Sequence, residues 1–262
     1  MPDLAHDDAV AGPLLFARYA YPPNQRGFCG PADHRQLLEY GAAQVVDPGL
    51  YQLARSFTGP WPYLKLLAGA AGVEDPFDRR VVEAYWVGND LLARVGTADF
   101  GAGVLERFRR MTGPAWPHLA EAVPLGAVAH HSFHVFEVYP WVGLLEPHRG
   151  GDPLRILDRC RIRWGQVVRV DGDQVEVRSR PLTWDGAQLA LGDPAPEVVT
   201  QAVDGLGMVG GLRPGDWVSL HWDWVCDRLT AAQLRDLQRD SGRQLGITNR
   251  KVGHPGPAMA LG

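Results

Sequence analysis

Three sulfurs and a run of histidines are the residues of this chain whose types could do chemistry. The 262 residues include only Cys29, Cys160 and Cys226. That odd number, with no C-x-x-C pair, argues against a disulfide framework or a structural zinc cage, so any thiol chemistry must use single sulfurs. Cys160 opens the alternating run "CRIRWGQVVRV" and is expected at the mouth of a strand, while Cys226 occupies an apolar position of "DWVCDRL" and reads as core. "GFCGPADH" sets Cys29 and His34 around a Gly-Pro turn. That loop thiol either binds a metal, resolves a transient disulfide or is a turn residue with no chemistry. "HHSFH" offers His130, His131 and His134. On a helix, His130 and His134 share a face four residues apart, as metal-binding pairs do, and Glu137 follows three residues later; simple packing of the rings is the competing reading. There is no Walker loop, no G-x-G-x-x-G after a strand, no G-x-S-x-G and no H-E-x-x-H, so familiar enzyme signatures name no reaction.

The elements that must position these residues change character along the chain. From Asp33 to about Arg110, apolar residues recur at three and four spacings in "DHRQLLEYGA", "WPYLKLLAGAAG" and "DRRVVEAYWVGNDLLARV", which predicts helices. Asp33, Asp75 with Pro76, and Thr97 or Asp99 are the expected caps. The stretch "AVAHHSFHVFEVYPWVGLL" permits helix or strand. Beyond "EPHRGGDP" the period becomes two. Strands joined across "DGD" are followed by one from "TWDGAQLAL", one from "GGLRPGDWVSLHWDWVCDRL", and a last helix capped by Thr230. The expected fold class is α+β multidomain: a mainly helical domain over residues 1–150, then a small OB-like β-barrel with a C-terminal helix over residues 153–250.

Composition narrows the function. At 45% hydrophobic and 21% charged the chain is ordinary globular protein, and a formal charge of −4 without a basic run offers no footprint for nucleic acid. The tryptophan-rich pieces "PWPYL", "PAWPHL" and "YPWVGLL" read as aromatic-filled helix joints rather than base-stacking surfaces. No uninterrupted apolar span approaches ~18 residues, and "MPDLAHDDAVAGPLLF" has acids where a secretory signal has Lys or Arg. A soluble, cytoplasmic protein is expected, with disorder only at the ends, especially "GHPGPAMALG".

"CRIRWGQVVRVDGDQVEV" with "PGDWVSLHWDWVCDRLTAAQL" resembles the small hydrogenase assembly chaperones of the HypC/HupF type. Their first strand opens C-L-x-I-P-G-x-V and a later one reads G-D-x-V-L-V-H-x-G-F-A. Cys160, Gly165 and Val167 keep the first spacing; Gly215, Asp216, Val218 and His221 keep the second. The resemblance covers Leu157 to Leu237 and implies a barrel that carries iron with cyanide and carbon monoxide ligands to a nickel-iron hydrogenase. Cys160 and His221 would then be the protein ligands. A soft thiolate and an imidazole suit a low-spin ferrous centre, and two protein donors leave room for diatomics and for transfer. Arg159, Arg161 and Arg163 flank Cys160, where positive charge would favour the thiolate, and Arg161 and Arg163 lie on one strand face, within reach of cyanide nitrogens. The chain departs from that pattern: Cys160 is internal rather than next to an initiator methionine, Trp164 replaces the proline, Arg163 an aliphatic, and Asp223 a glycine. Asp223 is expected either to contact a partner or to orient His221.

The function that follows is hydrogenase maturation, by a metallochaperone rather than an enzyme. Its partners would be an iron-ligand scaffold maturation protein and a hydrogenase large-subunit precursor. One alternative is a metal-dependent enzyme that makes or modifies an iron ligand, using Cys29 and the histidine cluster of the helical half. The other is a metal-free adaptor docking protein through an exposed strand edge.

Overall fold

The structure, a computed structural model, describes residues 10–103, 121–139, 141–145 and 151–252. The expected disorder of "GHPGPAMALG", the far end of the helix expected through Leu105, and the joint "PAWPHL" lie outside those residues.

Helices come first. They are α1 (Gly12–Gln25), α2 (Arg35–Ala43), α3 (Pro48–Arg55), α4 (Trp61–Ala71), α5 (Arg79–Trp86) and α6 (residues 97–103). α1 is buried from Gly12 to Asn24, the mark of a helix at the centre of a packed layer, with Arg18 buried in it as a charge held by Asp227. Its first residue must be small, since a Cβ on Gly12 would stand 1.7 Å from the Phe77 carbonyl oxygen. The caps differ from expectation. His34, not Asp33, precedes α2 and makes no side-chain cap, whereas Asp78 rather than Asp75 accepts from the Arg80 amide to cap α5. Asp75 is spent on the Phe77 amide one turn earlier.

The ambiguous histidine stretch is helical: a single turn, α7 (His131–Phe133), runs into a π-turn at His134–Val138. Next comes α8 (Gly151–Cys160), so the alternation starts later than the sequence predicts and Cys160 ends a helix instead of opening a strand. Leu157 and Cys160 are the buried positions of α8, at the i, i+3 spacing of a helix face.

The strands are β1 (Arg163–Asp171), β2 (Gln174–Ser179), β3 (Leu182–Trp184), β4 (Leu189–Leu191), β5 (Ala195–Thr200), β6 (Ala202–Val203), β7 (Leu206–Gly207), β8 (Trp217–His221) and β9 (Trp224–Arg228). β1 pairs antiparallel with β2 and β8, β2 with β5, and β8 with β9; β9 meets β5 in parallel at Thr200 and Trp224, so five strands close on themselves. Val167, Val175, Val177, Val199, Val218, Leu220 and Val225 fill the interior. "TWDGAQLAL" forms the separate hairpin β3–β4 rather than one strand, and "DWVSLHWDWVCDR" turns back on itself at Trp222-Asp223. The final helix, α9 (Ala231–Val252), is 22 residues long, with a reciprocal cap between Thr230 and Gln233.

One apolar core crosses the junction between the helical and strand-rich parts. Phe16, Tyr19, Tyr85, Trp86 and Phe133 belong to the same buried cluster as Ile162, Trp164, Trp224, Cys226 and Leu237. Two polar contacts fix α1 on the sheet: Arg18 to Asp227 at 2.7 Å and the Tyr19 hydroxyl to the Ser219 hydroxyl at 2.8 Å. No helix among the described residues is long and apolar enough to cross a membrane.

Candidate metal centre

Three side chains from three elements converge between α1 and the closed sheet. His131 comes from α7, Cys160 from the end of α8 and His221 from the end of β8. Their ligand atoms all lie within 4.8 Å of one another, and all three residues are buried. Around a shared ion such donors stand about 3–4 Å apart, so little side-chain rotation separates this arrangement from a coordinating one. The sequence pairs Cys160 with His221; the third member, His131, arrives only through the fold.

Hydrogen bonds set the tautomers. The Tyr19 carbonyl can only accept, so His221 Nδ1 donates to it at 2.7 Å, and Nε2 must carry the free lone pair. That Nε2 is buried with no hydrogen-bond partner, the state of an imidazole prepared to ligate. His131 Nε2 donates to the Cys160 carbonyl at 3.0 Å, which leaves Nδ1 to accept from the Tyr85 hydroxyl at 3.2 Å.

Electrostatics favour neutral rings and a protonated thiol. Burial pulls His221 down to about 4, and burial with the neighbouring His221 and His134 holds His131 well below its ordinary value. Burial pushes the Cys160 thiol up, helped by Cys29. The flanking arginines do not counter this because carboxylates hold them. Arg159 bonds Glu197 at 2.7 Å and Asp223 at 3.0 Å, Arg161 bonds Asp158 at 2.8 Å, and Arg163 is clamped between Glu197 and the Trp222 carbonyl. Arg161 also lies before β1, so it shares no strand face with Arg163. Asp223 pairs with Arg26 and Arg159; the Tyr19 carbonyl, not Asp223, orients His221.

A cavity of about 140 Å³ rises from this floor, walled by Tyr85, Trp86, His134, Tyr139 and Trp222, with Phe28, Cys29 and Trp141 among its lining residues. Phe28 stacks on Trp222 with ring centroids 4.5 Å apart. Trp222 takes φ +53° at the first position of the β8–β9 turn, a left-handed conformation that is uncommon and strained for a bulky residue. The helical pair facing the chamber is His131 and His134, not His130 and His134. His130 caps α7 by accepting from the Ser132 amide. His134 Nδ1 meets the Tyr63 hydroxyl at 3.3 Å. Glu137 completes no metal set; Lys251, Gln244 and Thr248 of α9 hold it. His34 packs against Tyr21 away from the chamber, and Cys226 is core as expected.

The fold and site define an α+β protein with a buried Cys/His/His group under an apolar chamber. The chain belongs to a family of unknown function (DUF6390), whose model matches residues 8–255 and thus runs through helices, site and sheet alike. No curated protein and no solved structure matches it.

Proposed function

We propose that this protein is a cytoplasmic hydrogenase maturation factor. It takes an iron fragment bearing cyanide and carbon monoxide from a scaffold maturation protein and passes it to the large-subunit precursor of a nickel-iron hydrogenase. The observation that carries the reading is the convergence of Cys160 and His221, the two positions singled out by the resemblance to HypC/HupF-type chaperones, with His221 Nε2 lacking any partner. The strand order adds support: the five strands close as first, second, third, fifth, fourth, with a parallel contact between third and fifth, the connectivity of a small OB-like barrel.

The chain's residues divide the work. The Tyr19 carbonyl fixes the His221 tautomer, burial keeps that imidazole neutral so that its unpartnered Nε2 is free to donate, and the Cys160 proton leaves as the metal–sulfur bond forms. His131, supplied by the helical half, becomes a third donor once its Nδ1 releases the Tyr85 hydroxyl. That half also walls the chamber in which the cargo would be held. Because Cys160 is internal and helix-borne, hand-over proceeds through the chamber mouth rather than on a free N-terminus.

The test is infrared spectroscopy of the protein purified anaerobically after coexpression with hydrogenase maturation proteins. Cyanide and carbonyl stretching bands are expected, absent in Cys160→Ser and retained in Cys226→Ala. A wild-type protein without these bands refutes the reading. The chamber itself favours a second reading, a metal-dependent enzyme acting on a small molecule at the same floor. A carrier loses its iron stoichiometrically to the precursor; an enzyme keeps it through repeated turnover.

A further inference from the structure

We propose that the chamber receives a small anion bound to the metal, cyanide or another pseudohalide, whose outer atom accepts hydrogen bonds from the indole N–H groups of Trp86 and Trp222. The inference deepens the metal-carrying reading above and rests on it. Both indoles line the chamber with the three donors, and they are 2% and 4% exposed. Neither Nε1 has a hydrogen-bond partner. An indole N–H can only donate, and a buried donor without an acceptor costs free energy. Two such groups in one chamber point to an acceptor that the protein itself does not supply.

Each indole is fixed beside the donors. The Trp86 ring centroid stands 4.6 Å from that of His131 and 5.6 Å from that of His221, and Tyr19 stacks on it at 5.5 Å. Trp222 follows His221 in the chain, and its amide donates at 2.7 Å to the carbonyl of Arg159, the residue before Cys160. Phe28 stacks on the Trp222 ring, and the Arg26 guanidinium carbon lies 5.4 Å from its centroid. The strained left-handed backbone of Trp222 is thus held in place, and the ring keeps its position against the chamber.

Charge balance calls for the same occupant. The Cys160 thiolate cancels half the charge of a divalent ion, and the two imidazoles are neutral donors. Among the described residues that line the chamber there is no carboxylate to cancel the rest. Uncompensated charge is costly in so apolar a space, and an anion at the metal's open position removes it. The cavity of about 140 Å³ gives such an anion room. In the iron cargo proposed above, the accepting atoms are the cyanide nitrogens.

The test uses the full chain, labelled with nitrogen-15 at its indoles, loaded with zinc under reducing conditions and titrated with azide. Two indole N–H resonances, assigned with Trp86→Phe and Trp222→Phe, should move downfield as azide binds. Trp222→Phe should weaken azide binding about tenfold, read from the azide stretching band, at unchanged zinc stoichiometry. Trp61→Phe, which alters a ring packed on Phe77, should match wild type. The wild-type resonances decide the question even where Trp86→Phe fails to fold. Fewer than two moving indole resonances, or undiminished azide affinity in Trp222→Phe, overturns the proposal and leaves the three-donor site standing. A wild type that takes up no more zinc than Cys160→Ser overturns the metal-carrying reading as well.

Discussion

Acidification should destabilise the metal-free protein, and the histidines set how steeply. His130 and His221 are buried and held to about 4 against an ordinary 6.5, in both cases first by desolvation; Arg163 adds to the effect at His221, and Asp240 opposes it at His130. A base whose folded pKa is depressed binds fewer protons folded than unfolded. Its contribution is therefore fully present above about pH 6.5 and is lost as pH falls toward about 4. A gap of about 2.5 pH corresponds to about 3 kcal/mol per ring at full extent, and at about pH 5 each ring has already lost about 2 kcal/mol. Two rings thus remove about 4 kcal/mol from a stability that is typically about 5–15 kcal/mol, and His131 adds to the loss in the same direction. Urea denaturation at neutral pH and at about pH 5 measures this. His221→Asn and His130→Asn, which cannot titrate, should each flatten the difference by about 2 kcal/mol. Stability that is unchanged at about pH 5, or an undiminished difference in both variants, would refute the argument that these rings are buried neutral.

Other perturbations address the scaffold. Arg18→Met removes one half of a buried ion pair between α1 and β9 and should cost about 3–5 kcal/mol by denaturant titration, with much of the loss recovered in Arg18→Met/Asp227→Leu. Gly12→Ala forces a methyl group into the Phe77 carbonyl and should destabilise by about 1–3 kcal/mol, read as a lower thermal midpoint. Thr230→Ala breaks the reciprocal cap of α9 and should cost about 1 kcal/mol, without altering metal binding measured in parallel.

Much of the scaffold was legible because local chemistry decides it. The apolar three-four spacing of "WPYLKLLAGAAG" and "DRRVVEAYW" became α4 and α5, and "DGD" became the turn where Asp171 pairs with Gln174. Thr230 caps its helix because its hydroxyl reaches the Gln233 amide. What escaped was decided by tertiary structure. β5 carries Pro196, which weakens its strand signal, yet it is the strand that closes the sheet against β9. "CRIRWGQVVRV" alternates from Cys160 onward, yet Leu157 and Cys160 also stand three apart as on one helix face, and their packing selected the helix. The site divides in the same way. Cys160 and His221 stand out through spacing within strand motifs, whereas His131 joins them only because α7 packs against the end of α8, a contact between residues far apart in sequence. The arginines around Cys160 were misread because a sequence shows charge but not Glu197, the carboxylate that occupies two of them.

The central claim is that Cys160 and His221 hold iron together, with His131 beside them. Iron X-ray absorption on the anaerobically loaded protein tests it most directly. The account predicts sulfur and imidazole nitrogen in the iron's coordination shell, with stoichiometric iron lost in Cys160→Ser and in His221→Ala. Iron bound through oxygen donors alone, or bound equally well by both variants, would contradict it.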